Sequence, residues 1–172
     1  MKKTFIVFFI YLLQFNFVIA NTPITFIDMD KIMLSSKPGS SIVSQLKAIN
    51  AKNLDIFKNG AKKLKEKESK LITQKNLLSE LDFQTKINKL KQEIENFNVN
   101  RDKINNNFNK LRIDSTNKLL KLINPILMNY SDNKSISLIL NKKNLVVGKM
   151  ELDITDEIIK IINKEIKQFK IQ

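Results

Sequence analysis

The sequence predicts an α+β chain that is mainly helical, with a small β-containing body and a long antiparallel coiled-coil hairpin as its arm. Apolar side chains recur every three or four positions between residues 41 and 130, a region with one glycine and one proline. Short β-branched runs lie on both sides of it. A seam this narrow cannot bury a globular helix, so each helix of the arm needs a partner helix.

The first twenty residues are predicted to be a secretory signal peptide. The chain opens with two lysines, continues with an apolar run from Phe5 to Leu13, and ends this segment on Ala20, with cleavage predicted before Asn21. A membrane anchor is the alternative. Gln14 and Asn16 interrupt the run, however, and it falls short of the ~20 apolar residues that a spanning helix needs. The fold is therefore expected to begin after residue 20.

Residues 21–40 are predicted to open the body. Ile24 and Phe26 belong to a short β-branched and aromatic run, which is typical of a strand. Pro38 and Gly39 then punctuate the chain before the arm. These residues are expected to join the second part of the body, residues 131–172, at the root of the arm.

Residues 41–130 are predicted to form two antiparallel helices of about 40 residues each, or ~60 Å long, that turn within Ser79–Thr85. Gly60 lies within the first helix, where it either allows close helix approach or bending, or is tolerated without a role. The apolar seam between the helices is predicted at Leu64, Leu71, Leu78, Phe83, Ile87, Leu90, Ile94, Phe97 and Phe108.

Residues 131–172 are predicted to complete the body with a β-hairpin and a closing helix. Ser135 to Leu140 and the run "LVVGK" at 145–149 are strand-like, and "NKKN" between them is typical of a turn. Asp153 is predicted to cap the closing helix. The apolar face of that helix consists of Ile154, Ile158, Ile161, Ile162 and Ile166.

The composition argues against catalytic, metal and cofactor chemistry. The chain has no cysteine and no histidine, so it lacks the usual general base, thiol nucleophile and zinc ligands. Its three glycines are isolated and form no phosphate-binding loop. Glu93 and Glu95 point to different helix faces, and no further ligands follow Asp28 and Asp30. We therefore expect a protein that is not an enzyme and holds no cofactor.

The charge predicts an acidic partner. Without Lys2 and Lys3 the chain has 28 basic against 17 acidic residues, and only two of the basic residues are arginine. Such a surface attracts polypeptides, lipid head groups or nucleic acid of negative charge. Single-stranded nucleic acid is not expected, because no exposed aromatic residues alternate with the lysines.

The order of these segments resembles the Skp/OmpH family of periplasmic chaperones. The run "ITFIDMDKIM" is similar to the opening strand of the family and the residues after it. The run "ISLILNKKNLVVGKMELDITDEIIKIINK" is similar to its closing pattern, in which Asp153, Ile154 and Thr155 lead into the last helix. The resemblance implies a homotrimer whose arms enclose a cavity and which captures unfolded outer-membrane proteins in the periplasm without ATP. Arginine is scarce here, so no lipopolysaccharide-binding residues are carried over.

The arm is predicted to carry the binding surface. Eleven lysines and five acidic residues lie between residues 52 and 91. One interpretation is a basic surface for acidic, unfolded clients, with apolar contacts from Ile72, Leu77 and Leu81. The alternative is a solvated helix face with charge pairs such as Glu66 with Lys70. The client-binding lysines are predicted to be Lys62, Lys63, Lys65, Lys67, Lys70, Lys75, Lys86 and Lys89.

Two other functions remain open from the residues. An exported coiled-coil spacer of the cell envelope would have the same periodicity and need no client. A basic envelope protein that binds lipopolysaccharide or an anionic membrane surface would have the same charge. The holdase interpretation alone predicts that client aggregation is suppressed, and that added salt weakens client binding.

Overall fold

The computed structural model describes residues 23–166 and 169–171, so the predicted cleavage site between Ala20 and Asn21 lies outside the described residues. The structure is mainly helical with a small sheet, which confirms the predicted fold class. The elements are β1 (Ile24–Ile27), α1 (Met29–Ser35), α2 (Lys37–Thr73), α3 (Glu80–Lys134), β2 (Leu138–Asn141) and α4 (Thr155–Glu165), with 3-10 turns at Lys75–Leu77, Lys142–Asn144 and Met150–Leu152.

The two strands form a parallel pair at the root of the arm. Ile24 lies opposite Leu138 and Ile27 opposite Asn141. Parallel neighbours need a long crossover connection, and here the whole arm is that connection. The predicted β-hairpin of two late strands is wrong. Its first half forms β2 and pairs with β1, whereas residues 145–149 are not a strand and pair with no strand in the described part of the chain.

The first helix of the arm begins at Lys37 and so includes Pro38 and Gly39, which were predicted to precede the arm. Asp28 ends β1 and caps α1, where its carboxylate accepts a hydrogen bond from the Lys31 N–H at 2.9 Å. Ser36 then caps α2 and accepts from the Gly39 N–H at 3.2 Å. Pro38 therefore lies in the first turn of the helix, where its missing N–H costs no intrahelical bond. The interruption between α1 and α2 is therefore at Ser36, ahead of Pro38 and Gly39.

The arm is a hairpin of two antiparallel helices, as predicted. With 37 residues in α2 and 55 in α3, the helices are about 55 Å and about 80 Å long. The turn spans residues 74–79, so its predicted position within Ser79–Thr85 is wrong. Ser79 is the N-cap of α3 and accepts from the Asp82 N–H at 3.1 Å, and Thr85 lies inside the helix. The polar run after Ser79 starts a helix rather than making the turn.

The hydrophobic core lies where α1, the two arm helices and α4 meet. α3 continues through Pro125 into this core, which lengthens it relative to α2. The helices contribute mostly isoleucine side chains to this core. Its fully buried members are Ile32, Ile42, Leu119, Ile123, Ile158 and Ile162.

The closing helix is tied to β1 by a cluster around Thr155. The helix starts at Thr155 and its N-cap is Ile154. Asp153, which was predicted to be the cap, lies one residue before it. Its carboxylate accepts hydrogen bonds from the Thr155 N–H, at 3.0 Å, and from the Thr155 hydroxyl. The Thr155 hydroxyl in turn accepts from the Asp28 N–H at 2.8 Å. Lys142 lies 3.5 Å from the Asp153 carboxylate and 3.8 Å from that of Asp28.

Candidate binding surface of the arm

The seam between the arm helices is half-buried along most of its length. Leu71 is buried, whereas Ile94 is 38% exposed. A two-helix hairpin gives each helix a single neighbour, so its seam stays open on both sides. The remaining predicted seam residues, all half-buried, are Leu64, Leu78, Phe83, Ile87, Leu90, Phe97 and Phe108.

Glu93 takes the seam position beside Ile94. Its carboxylate lies 2.5 Å from the Lys67 ammonium across the two helices. Glu93 is half-buried while Ile94 is turned toward solvent. One of the predicted client-binding lysines therefore has an acidic partner within the arm.

The role of Gly60 is close helix approach. The ring of Phe97 on α3 lies against it, and a Cβ atom added at Gly60 would overlap that ring. Glycine in a helix interior costs about 1 kcal/mol relative to alanine. Here the absence of a side chain leaves room for the Phe97 ring. This contact sets the register of α2 against α3 halfway along the arm.

A basic groove lies on one side of the seam near the turn. Lys67 and Lys70 line it from α2, and Lys86 and Lys89 line it from α3. In each helix the two lysines are three residues apart and therefore share a face. The groove is open to solvent, and its other lining residues are Leu71, Gln74, Leu90 and Glu93.

The other four predicted lysines are spread outside this groove. Lys62, Lys63 and Lys65 are exposed on α2, nearer the body. Lys75 lies in the turn, where its ammonium is 5.9 Å from the centre of the Phe83 ring. Lys62, rather than the predicted Lys70, pairs with Glu66, at 3.9 Å.

An apolar groove lies on the other side of the same seam. It shares Leu71 and Leu90 with the basic groove and is otherwise lined mostly by Ile72, Phe83, Ile87 and Ile94, with Glu68 and Lys91 at its rim. The three apolar residues that were predicted to lie off the seam are strongly exposed: Ile72 by 65%, Leu77 by 83% and Leu81 by 78%. The end of the arm therefore presents positive charge on one side and aliphatic surface on the other.

The described residues offer this surface little chemistry beyond charge and apolar contact. Residues 23–166 and 169–171 hold no group of three or more acidic, histidine or cysteine side chains that could bind a metal ion. No helix within these ranges is long and apolar enough to cross a membrane. The surface can attract and hold a polypeptide or an anionic ligand through many weak contacts.

A small body that carries one long antiparallel helical hairpin defines the architectural class of this chain. The sequence matches the family model described as Outer membrane protein (OmpH-like) over residues 23–162. The chain therefore belongs to the OmpH-like family, which is a family of chaperones.

A solved structure has the same fold. It is that of a proposed outer membrane chaperone (OmpH-like) from Caulobacter crescentus CB15 and is 13% identical in sequence. The TM-score is 0.79, and the match covers 88% of this chain and 89% of that chain. A search of curated protein sequences finds no match. At 13% identity, this similarity shows the fold alone.

Sequence reasoning missed how the lysines are distributed between the two sides of the arm. A count of charges along the chain does not separate the eight predicted client-binding lysines by the side of the arm on which they lie. The helical phase could have divided them, because Lys67 and Lys70 lie on one flank of Leu71 while Glu68 and Ile72 lie on the other. The pairing of Lys67 with Glu93 depends on the hairpin register, which the sequence did not provide.

Proposed function

We propose that this chain is an ATP-independent periplasmic holdase that binds unfolded outer-membrane β-barrel proteins and prevents their aggregation. The observation that carries the proposal is the two-sided end of the arm, with its basic groove and its apolar groove on one seam. Membership of the OmpH-like family supports it. Clients of varied sequence suit a surface that works by many weak contacts rather than by one enclosed pocket.

The mechanism needs two steps from the residues of the arm. The lysines attract acidic clients from a distance, an effect that reaches ~8 Å at physiological salt and less at high salt. Ile72, Leu77 and Leu81 then cover apolar side chains of the client that would otherwise associate with one another. No bond is made or broken, so neither a cofactor nor a nucleotide is required.

Self-association into a homotrimer is part of this proposal. A sheet of two parallel strands is marginal without further strands or covering surfaces. The body also exposes apolar side chains near that sheet, with Ile24 and Leu138 opposite each other in the strand pair. Val146, Val147 and Met150, in the segment between β2 and α4, are almost fully exposed. Other copies of the chain would cover these residues and hold several arms side by side.

The first experiment tests the holdase. A urea-unfolded outer-membrane β-barrel is diluted into buffer with increasing amounts of the chain that begins at Asn21, without ATP, and light scattering is followed. We expect scattering to disappear at about one trimer per client, and the same series in 0.5 M salt to need more protein. Unchanged scattering with a folded, oligomeric chain would contradict the proposal and favour a coiled-coil spacer of the cell envelope.

Binding of an anionic lipid surface or lipopolysaccharide is a second candidate, favoured by the basic groove and by the exposed Leu77 and Leu81 at the same end of the arm. Co-sedimentation with neutral vesicles, with vesicles that contain anionic phospholipid, and with lipopolysaccharide separates it from the holdase. Binding to the anionic surfaces without any effect on client scattering would put this function first.

A further inference from the structure

A short segment after α4 lies in a groove at the root of the arm. The segment follows the end of the family match at residue 162. Phe169 is 6% exposed and belongs to the same buried cluster as Ile42 and Leu119, and Ile171 packs against that cluster. We call the residues that contact the segment, Ser41, Gln45 and Lys118, the root groove.

The root groove recognises the backbone of the segment. The Gln45 side-chain N–H donates to the Phe169 carbonyl at 2.9 Å, and its carbonyl accepts from the Ile171 N–H at 3.3 Å. The Ser41 hydroxyl also donates to the Phe169 carbonyl, at 3.1 Å. The amide of Gln45 thus offers one donor and one acceptor, as a residue of a neighbouring strand does. This contact does not depend on the side chain of the residue between them, Lys170.

The side chains of the segment alternate as in a strand. Phe169 points inward and is buried, Lys170 is exposed and Ile171 is half-buried. The Lys118 ammonium lies 5.6 Å from the centre of the Phe169 ring, within the range of a cation–π contact. The groove therefore fits an extended segment with an aromatic, a polar and an aliphatic residue in succession.

We infer that the root groove is a peptide-binding site for extended aromatic–polar–aliphatic segments, occupied here by residues 169–171 of the same chain. The inference deepens the proposed function and rests on it for its second ligand: unfolded β-barrel segments compete with the resident one. Membrane strands of β-barrels alternate apolar and polar residues and carry aromatic residues at both ends, which is the pattern that the groove holds. The apparent affinity for any competitor is the intrinsic affinity multiplied by the fraction of time that the resident segment leaves the groove empty.

The first test measures binding of a fluorescent peptide with the sequence of residues 166–172, IKQFKIQ, by anisotropy. Phe169→Ala in the full chain weakens the resident segment, so we expect the peptide to bind this variant about tenfold more tightly than the unmutated chain. A peptide with alanine in place of its phenylalanine is the control and should lose this gain, as should Gln45→Ala added to the variant. A folded Phe169→Ala chain that does not bind the peptide more tightly would overturn the inference.

The second test uses the unmutated chain and decides the matter if Phe169→Ala does not fold. Hydrogen exchange of the Ile171 amide is followed with and without an excess of urea-unfolded β-barrel, with the helical Ile158 amide as reference. We expect at least threefold faster exchange at Ile171 alone. If the client stays in solution while Ile171 is unchanged, the segment is a fixed part of the core and the inference fails. If the client aggregates regardless, the proposed function fails, and the same exchange measurement with an excess of the peptide IKQFKIQ in place of the client decides the groove: unchanged exchange at Ile171 would overturn the inference.

Discussion

The body and the arm of this chain are built from similar side chains that are buried to very different degrees. In the body, Leu119 and Ile123 of α3 are completely buried among α1, α2 and α4. Further along the same helix, Phe97 and Leu90 are only half-buried, because α2 is their single neighbour. One helix therefore belongs to a packed core at one end and to an open surface at the other.

This difference in burial leads us to expect that stability depends mainly on the body and binding mainly on the arm. Apolar burial contributes roughly 25 cal/mol per Å², so the body is expected to supply most of the free energy of folding. The arm keeps apolar and charged atoms in contact with water, where they are accessible to a ligand. Changes in the body should therefore alter stability first, and changes on the surface of the arm should alter binding first.

The largest expected effect is a cavity in the body. Leu119→Ala removes a completely buried side chain and should lower the free energy of unfolding by about 3 kcal/mol, within the usual range for such sites. Urea unfolding followed by circular dichroism measures it. Ile113→Ala, on the same helix but 54% exposed, is the matched control and should cost under about 1 kcal/mol. Equal losses at the two positions would remove the contrast between body and arm.

A smaller effect is expected where the arm is most tightly packed. Gly60→Ala adds a methyl group that overlaps the Phe97 ring, which should cost about 1–2 kcal/mol despite the better helix propensity of alanine. Hydrogen exchange of the arm amides measures the local loss. The double variant with Phe97→Leu should recover much of it, because the two residues are coupled. Asn59→Ala, at the exposed neighbouring position, is the control, and a stabilised Gly60→Ala chain would contradict a register contact.

The lysines of the basic groove are expected to affect binding rather than stability. Charge reversal at Lys70, Lys86 and Lys89 should weaken client binding about tenfold at low salt, since three attractive charges become repulsive. The matched control reverses Lys103, Lys110 and Lys121, which are exposed on α3 away from the groove. Client titration by scattering compares the two variants. An equal loss in both would show that net charge matters and the groove does not.

The architecture was predictable because its patterns are local. The heptad seam and the paucity of glycine and proline predict the hairpin, and β-branched runs predict β1 and the first part of the late strands. The turn is misplaced in the prediction because polar residues such as Ser79 and Asp82 are typical of a turn and equally of a helix start. The missing strand at 145–149 has strand-like residues, but a strand needs a neighbour, and no single sequence shows whether one is present.

The candidate binding surface was less predictable because it depends on the register of the two arm helices. Which lysines face one another across the hairpin follows from the contact of Gly60 with Phe97, and a shift of one turn would change the lining of both grooves. The root groove was missed for a similar reason. Gln45 lies on a helix more than a hundred residues from its partners Phe169 and Ile171, and nothing near it in the sequence indicates that it binds backbone.

The smallest expected effect concerns pH and the Thr155 cluster of the body. Burial alone would raise the pKa of Asp153, but hydrogen bonds from Thr155 and the charge of Lys142 outweigh burial and hold that pKa below its ordinary value. A lowered carboxyl pKa stabilises the folded state above the unfolded value, about 3.9, and this contribution is lost as pH falls through the folded value. Between pH 6 and pH 3, the Tm of Asp153→Asn should therefore fall less than the Tm of the unmutated chain. Thermal unfolding at each pH measures both. Asp114→Asn, exposed on α3, is the control, and parallel curves for Asp153→Asn and the unmutated chain would show that the carboxylate contributes nothing to acid sensitivity.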